Sequence, residues 1–245
     1  MSTENPATAA RTAELSARLD GLLARIDAAV ETAGRPAGSV RLLPVTKFFP
    51  AADVAILHAL GRREFGESRE QEASAKVEEL AFDDVEWHMI GRLQRNKARA
   101  VARWAHTVAS VDSERLANAL DRAAQDALAA GERIAPLRVL LQVSLDADPG
   151  RGGVAPPDLL TLADLVAKAP GLHLAGLMAI PPLDVASHVS FANLATLHTS
   201  LLAQHAGATE LSAGMSGDLE IAVEHGSTCV RVGTALMGAR PITSA

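Results

Sequence analysis

Leu42-Leu43-Pro44-Val45-Thr46, then Ala51-Ala52-Asp53-Val54-Ala55-Ile56-Leu57-His58-Ala59-Leu60, then Arg63-Glu64-Phe65-Gly66 decide the fold. They read as a short β-like run, a helical stretch and a second β-like run. Two strands joined through a helix pair in parallel by a crossover, so this is a βαβ unit. The alternation continues to the end of the chain. With 42–46 and 63–66, strands are expected at 86–90, 107–111, 138–143, 172–178, 209–212 and 229–232. With 51–60, helices are expected near 69–80, 93–104, 113–130, 157–169, 190–206, 217–225 and 234–237. Eight such units in 245 residues, with no break in composition, predict closure into one (β/α)8 TIM barrel. Upstream, Leu15, Leu19, Leu22, Leu23, Ile26 and Val30 mark one face of an extra N-terminal helix over 12–32, stopped by Gly34-Arg35-Pro36. Met1 to Arg11 is small and polar and reads as the flexible start of a single domain, 1–245.

Composition removes several function classes. A net charge of −6 argues against a general nucleic-acid binder, despite a local basic run from Arg92 to Arg103. Cys229 is the single cysteine, so no internal disulfide or redox pair can form. No run of about 18 apolar residues is present and the start of the chain has no apolar core. No membrane partner and a cytoplasmic location are therefore expected. No set of His, Cys, Asp or Glu has metal-ligand spacing, and no Gly-x-Ser-x-Gly or Walker-type loop occurs.

In such a barrel, binding groups belong at the C-terminal ends of the strands, with phosphate often held after strands seven and eight. Strand one ends in Val45-Thr46-Lys47-Phe48-Phe49-Pro50. An ammonium between apolar neighbours there would lose solvation and supply a neutral amine to attack an aldehyde; equally, the stem is buried and the head reaches water. Strand eight carries Cys229-Val230-Arg231-Val232-Gly233-Thr234. Period-two alternation sends Arg231 inward, where it meets either a ligand ring nitrogen or phosphate, or an internal acid. Gly233-Thr234 and the segment Ser212-Ala213-Gly214-Met215-Ser216-Gly217 form two small, hydroxyl-bearing turns suited to an anion, although Ser216 also reads as a helix N-cap. Ser68 fits either the mouth of the barrel or a plain N-cap. His88, within strand three, reads more readily as a core histidine, and the basic run after it as a solvated helix face.

Taken together, Leu43-Pro44-Val45-Thr46-Lys47, Phe65-Gly66-Glu67, Trp87-His88-Met89-Ile90-Gly91-Arg92-Leu93-Gln94-Arg95-Asn96-Lys97, Gly176-Leu177-Met178, Leu211-Ser212-Ala213-Gly214-Met215-Ser216 and Val230-Arg231-Val232-Gly233-Thr234 resemble the pyridoxal-phosphate homeostasis protein family. The resemblance spans Arg41 to Gly238. It implies the barrel of the alanine racemase N-terminal domain and pyridoxal 5′-phosphate (PLP) as cofactor. It further implies Lys47 as the Schiff-base lysine, Arg231 at the pyridine nitrogen, and Ser216, Gly233 and Thr234 around the phosphate. Met215, Ser68 and His88 join the expected cofactor site. Relatives usually have Asn at the position of Ser68, and their Gln-Val-Asn run stands here as Gln142-Val143-Ser144; serine cannot reach or donate as an amide does.

The function expected from this family is PLP binding in intracellular vitamin B6 homeostasis, without substantial turnover, in a monomer that supplies PLP-requiring apo-enzymes. The alternative is a PLP-dependent racemase or decarboxylase. Related racemases use a tyrosine from a partner's second domain as their opposite-face base, whereas this sequence has no tyrosine. His88 or Cys229 would have to substitute. A third class, a barrel without PLP, would give a colourless protein.

Overall fold

A computed structural model describes residues 6–146, 151–182 and 184–239. Its strands are β1 (Arg41–Pro44), β2 (Glu64–Glu67), β3 (Glu86–Met89), β4 (Thr107–Val111), β5 (Leu137–Gln142), β6 (Leu172–Met178), β7 (Glu210–Ser212) and β8 (Cys229–Val232). The strands pair in parallel, in the order β1-β8-β7-β6-β5-β4-β3-β2, which makes the first and last strands of the sheet, in chain order, neighbours. Between β1 and β2 the ring is drawn together by a Val45–Gly66 bridge and by Thr46 N–H donating to Gly66 O at 3.0 Å. The sheet is thus the expected barrel, nearly closed.

The helices α1 (Pro6–Thr32), α2 (Ala51–Ala59), α3 (Glu70–Leu80), α4 (Ala98–Trp104), α5 (Glu114–Ala129), α6 (Leu159–Lys168), α7 (Ser187–Gln204), α8 (Leu219–Glu224) and α9 (Thr234–Met237) alternate with the strands. Each covers the outer face with a stripe at helical spacing. In α5 the stripe is Leu116, Ala117, Leu120, Ala123 and Ala124, which packs with Val108, Val139 and Leu141 of the sheet. Inside the barrel a separate small cluster of Ala109, Leu140, Ala175 and Met178, with Ile90 against it, fills the middle. The interior is a packed plug between two ends.

α8 and α9 have only six and four residues. The extra helix α1 makes up for them: Leu15, Leu19, Leu22, Ile26 and Val30 bury against Leu219, Val223, Leu236 and Met237, over the outward Val230 and Val232 of β8. It starts at Pro6, not at residue 12. Arg11 holds its first turns by an ion pair to Asp53 (2.6 Å) and a hydrogen bond to Met237 O (2.9 Å), so the flexible start expected over 1–11 is helical from 6 onward, and residues 1–5 lie outside the described part. A second correction concerns the helix expected over 93–104. There Leu93 is buried in a loop, Arg95–Lys97 is a single 3-10 turn, and only Ala98–Trp104 is α-helical. No helix among the described residues is long and apolar enough to cross a membrane.

Candidate functional site

The segments following the strands enclose a cleft of about 410 Å³, within the range of small-molecule sites. It is lined by Val45 and Lys47 after β1, Ser68 after β2, Ile90, Gly91 and Arg92 after β3, Gln142 on β5 and Ile180 after β6. Met215, Ser216 and Gly217 after β7, Arg231, Gly233 and Thr234 on and after β8, and Arg151 complete it. Lys47, Ser68, Met215, Ser216, Arg231, Gly233 and Thr234, seven residues singled out from the sequence, therefore converge on one space. His88 does not.

Lys47 is half-buried, and its neighbours are held from outside the barrel. Phe48 has φ 70°, a left-handed conformation uncommon for a residue with a side chain. Its N–H donates to Glu72 Oε1 at 2.6 Å, and Glu72 pairs with Lys76 at 3.2 Å. The buried Lys76 ammonium also donates to Thr46 O (2.9 Å) and Glu67 Oε1 (2.8 Å), while Thr46 Oγ1 donates to the same Glu67 oxygen at 2.7 Å. Burial pushes the Glu67 carboxyl up, and the Lys76 charge and the two hydrogen bonds pull against that shift. The backbone on both sides of Lys47 is thus tied to β2 and α3 through buried charge, which sustains the strained Phe48. Sequence reading missed this support, because Glu72 and Lys76 at i,i+4 look like an ordinary surface pair.

Arg231 is buried, and burial pulls its guanidinium down from its usual range. Nη1 donates to Ser212 O (2.7 Å) and Ser212 Oγ (2.8 Å), and Nη2 to Ala179 O (2.8 Å). These partners are neutral. Among the described residues no carboxylate lies within ion-pair distance of it, so the internal salt bridge is not formed, and Asp218 and Glu210 act on the charge only from farther away.

Opposite, the chain turns sharply at Gly214, whose φ is 92° and where a Cβ would come within 2.6 Å of the Ala222 Cβ. Ser216 follows. It is not the N-cap of α8, which begins at Leu219 with Asp218 in the cap position and Asp218 Oδ1 accepting the Met215 N–H at 2.6 Å. Instead Ser216 Oγ accepts the Ala235 N–H at 3.3 Å and links the turns after β7 and β8. A Cβ on Gly217 would meet nothing within 4 Å, and one on Gly233 only Val45, at 3.5 Å. Both glycines leave backbone open to the cleft. Ser68 likewise is not the cap of α3, where Arg69 holds that position. It lines the cleft in backbone contact with Gly91, where a Cβ would lie 2.2 Å from Ser68 O.

Two further lining residues, Arg151 and Ile180, had no sequence signal. Arg151 pairs with Asp146 (2.8 Å) and donates to Ile180 O (3.1 Å) and Pro181 O (2.7 Å), and its own carbonyl accepts from Gln142 Nε2 at 3.1 Å. Ser144, in contrast, is turned to Asp146 Oδ1 at 3.4 Å and does not line the cleft. A guanidinium without an ion-pair partner, a half-buried amine, and a cup of hydroxyls and glycines form a donor set that fits a small planar molecule bearing a ring acceptor, an aldehyde and a phosphate, as PLP does.

His88 belongs to the other end of the barrel. Its Nε2 lies 3.3 Å from Glu64 Oε2, in a layer built from residues at the starts of the strands. Arg41 pairs there with both Glu64 and Glu210, and Arg138 with Glu210 at 2.6 Å. Burial raises the Glu64 carboxyl, but the neighbouring His88 imidazole and the Arg41 guanidinium outweigh it and bring it down to about 2. Cys229 is fully buried in the same layer, and burial pushes its thiol up to about 11. Glu64, Glu86 and His88 lie close enough to share an ion, as do His188, Glu224 and His225 on the surface, proximities that no sequence spacing displayed. In the first set Arg41 already occupies Glu64.

The sequence profile of the alanine racemase N-terminal domain matches residues 18–241. The pyridoxal phosphate homeostasis protein of Mycobacterium tuberculosis is 53% identical over 96% of both chains, and that of Corynebacterium glutamicum is 47% identical over 89% of this chain and 99% of its own. Among solved structures, Synechococcus elongatus PipY with PLP bound superposes with a TM-score of 0.78 at 37% identity, covering 91% of this chain and all of PipY. The alanine racemase of Bartonella henselae, at 17% identity and TM-score 0.68 over 94% of this chain and 61% of its own, shares the fold. This chain, with its parallel barrel and the Lys47 cleft at its C-terminal end, belongs to the pyridoxal phosphate homeostasis protein family.

Proposed function

We propose that this protein binds PLP in the Lys47 cleft and serves intracellular PLP homeostasis as a carrier without substantial turnover. The observation that carries the reading is the convergence of Lys47, the Arg231 guanidinium with its neutral hydrogen-bond partners and the Ser216–Thr234 cup on one space of cofactor size. When bound, PLP supplies an aldehyde that condenses with amines. Lys47 is the amine that takes it, held in place by the Thr46–Glu67–Lys76–Glu72 anchor. Arg231, a guanidinium that can donate but not accept a proton, would hold the ring nitrogen as an unprotonated acceptor, which weakens the cofactor as an electron sink. Ser216, Thr234 and the backbone at Gly217 and Gly233 receive the phosphate.

Apart from Lys47, no lysine, His, Cys, Tyr, Asp or Glu lines the cleft among the described residues. General acids and bases contribute about 10²–10⁴-fold each to a proton transfer, and the racemase alternative lacks its second one. His88 and Cys229, its possible replacements, lie at the opposite end. A cytoplasmic monomer that releases PLP to apo-enzymes fits this arrangement. Borohydride reduction of the PLP-loaded protein, with mass mapping, should fix the pyridoxyl group on Lys47, and Lys47→Ala should lose it. Labelling of Lys76 or Lys97 instead would overturn the assignment.

A further inference from the structure

The basic segment after β3 contributes only Arg92 to the Lys47 cleft. Beside that cleft, with Ser68 and Arg92 as a common wall, lies a larger one of about 770 Å³. Arg69, Arg92, Arg95 and Arg115 line it, all exposed. Among the described residues none of the four is within ion-pair distance of an acid; Arg69 has only the Phe48 ring, 5.1 Å from its guanidinium carbon. Lys97, by contrast, is neutralised by Glu70 at 3.1 Å. The other acid in the lining is Asp112, whose Oδ2 accepts the Gly153 N–H at 3.3 Å. In a chain of net charge −6 this concentration of unpaired guanidinium is not a by-product of general basicity.

The floor has a different character. Met89, Leu93 and Leu116, all buried side chains, form it, with the exposed Gln94 amide at its edge. Guanidinium forks match phosphate oxygens two at a time, and several around one concavity suit a compact ligand of high negative charge better than a single carboxylate. An apolar floor with an amide at its rim suits a planar heterocycle. A concave site of this size also favours a small molecule over the flat surface of another protein. We propose that this second cleft binds a nucleotide carrying two or more phosphates, the phosphates on Arg92, Arg95 and Arg115 and the base on the Met89–Leu93–Leu116 floor.

Calorimetric titration with ADP tests the idea on the full chain, both untreated and after PLP loading and borohydride reduction have filled the Lys47 cleft. One ADP should bind per chain in both preparations, less tightly as salt rises. Arg95→Ala with Arg115→Ala should weaken it at least about tenfold, while leaving the cofactor absorbance and the urea midpoint unchanged. Adenosine should not bind, and pyrophosphate should compete less well than ADP, since it leaves the floor unfilled. No saturable ADP binding, or binding indifferent to the double variant, would overturn the proposal. So would pyrophosphate competing as well as ADP, or a polyglutamate peptide displacing ADP more effectively than pyrophosphate does, the latter marking a seat for an acidic protein.

Discussion

The two ends of this barrel are built from the same alternating strands and treat charge in opposite ways. At the start of the strands, Arg41, Glu64, Arg138 and Glu210 form a closed set in which each guanidinium meets a carboxylate. Where the strands end, Arg231 meets only carbonyls and a hydroxyl, and no acid lines the cleft. A buried charge with a partner is spent on structure, whereas a buried charge without one leaves a free-energy cost that a ligand can relieve. The anchor beside Lys47 combines both: its paired charges hold a strained turn that presents an amine to the unpaired end.

This contrast can be broken most forcefully at the paired end. Glu210 is the shared partner of Arg41 and Arg138 and is buried. Glu210→Ala should destabilise the fold by about 3–5 kcal/mol, because it leaves Arg138 without its carboxylate and Arg41 with Glu64 alone. Urea unfolding reads the loss, and below the transition the PLP-dependent absorbance should be that of the parent. A variant that keeps its stability but loses the cofactor would merge the two ends into one site.

At the unpaired end the expected effect is on binding. Ser216→Ala and Thr234→Val should each weaken PLP by about 1.5–3 kcal/mol, the usual worth of a hydrogen bond to a charged group, with little change in the urea midpoint. Pyridoxal, lacking the phosphate, should be nearly indifferent. Equal losses for both ligands would move the phosphate elsewhere.

The smallest effect is a pH dependence of stability. Glu64 is held at about 2 in the folded chain, below its ordinary 4.5, so its contribution is complete above pH 4.5 and disappears as pH falls toward 2. With solvent screening of this partly exposed carboxylate allowed for, that contribution is on the order of 1–2 kcal/mol. Glu64→Gln should lower the urea midpoint at pH 6 and have a much smaller effect at pH 3. An equal effect at both pH values would show that the carboxylate charge is not what stabilises this end.

Much of this molecule was legible in the chain itself. Alternating strand and helix patterns are local, so the eight units and the placement of Lys47 and Arg231 followed from spacing alone. Period two also indicates which side chains point inward. It does not indicate height: His88 and Ile90 both face in, about 6.6 Å apart along β3 and the residue that follows it, and that step separates the paired end from the mouth. For the same reason Ser216 and Ser68 looked like helix caps, since a cap and a cleft-lining serine share a local sequence and differ only in what the neighbouring loop brings. The Lys76 anchor, the Arg151 bridge and the second cleft are contacts between segments far apart in the chain. Local pattern determined the elements and the direction of each side chain; closure of the ring alone decided which charges meet an acid and which remain for a ligand, because pairing depends on distances through space that sequence separation does not encode.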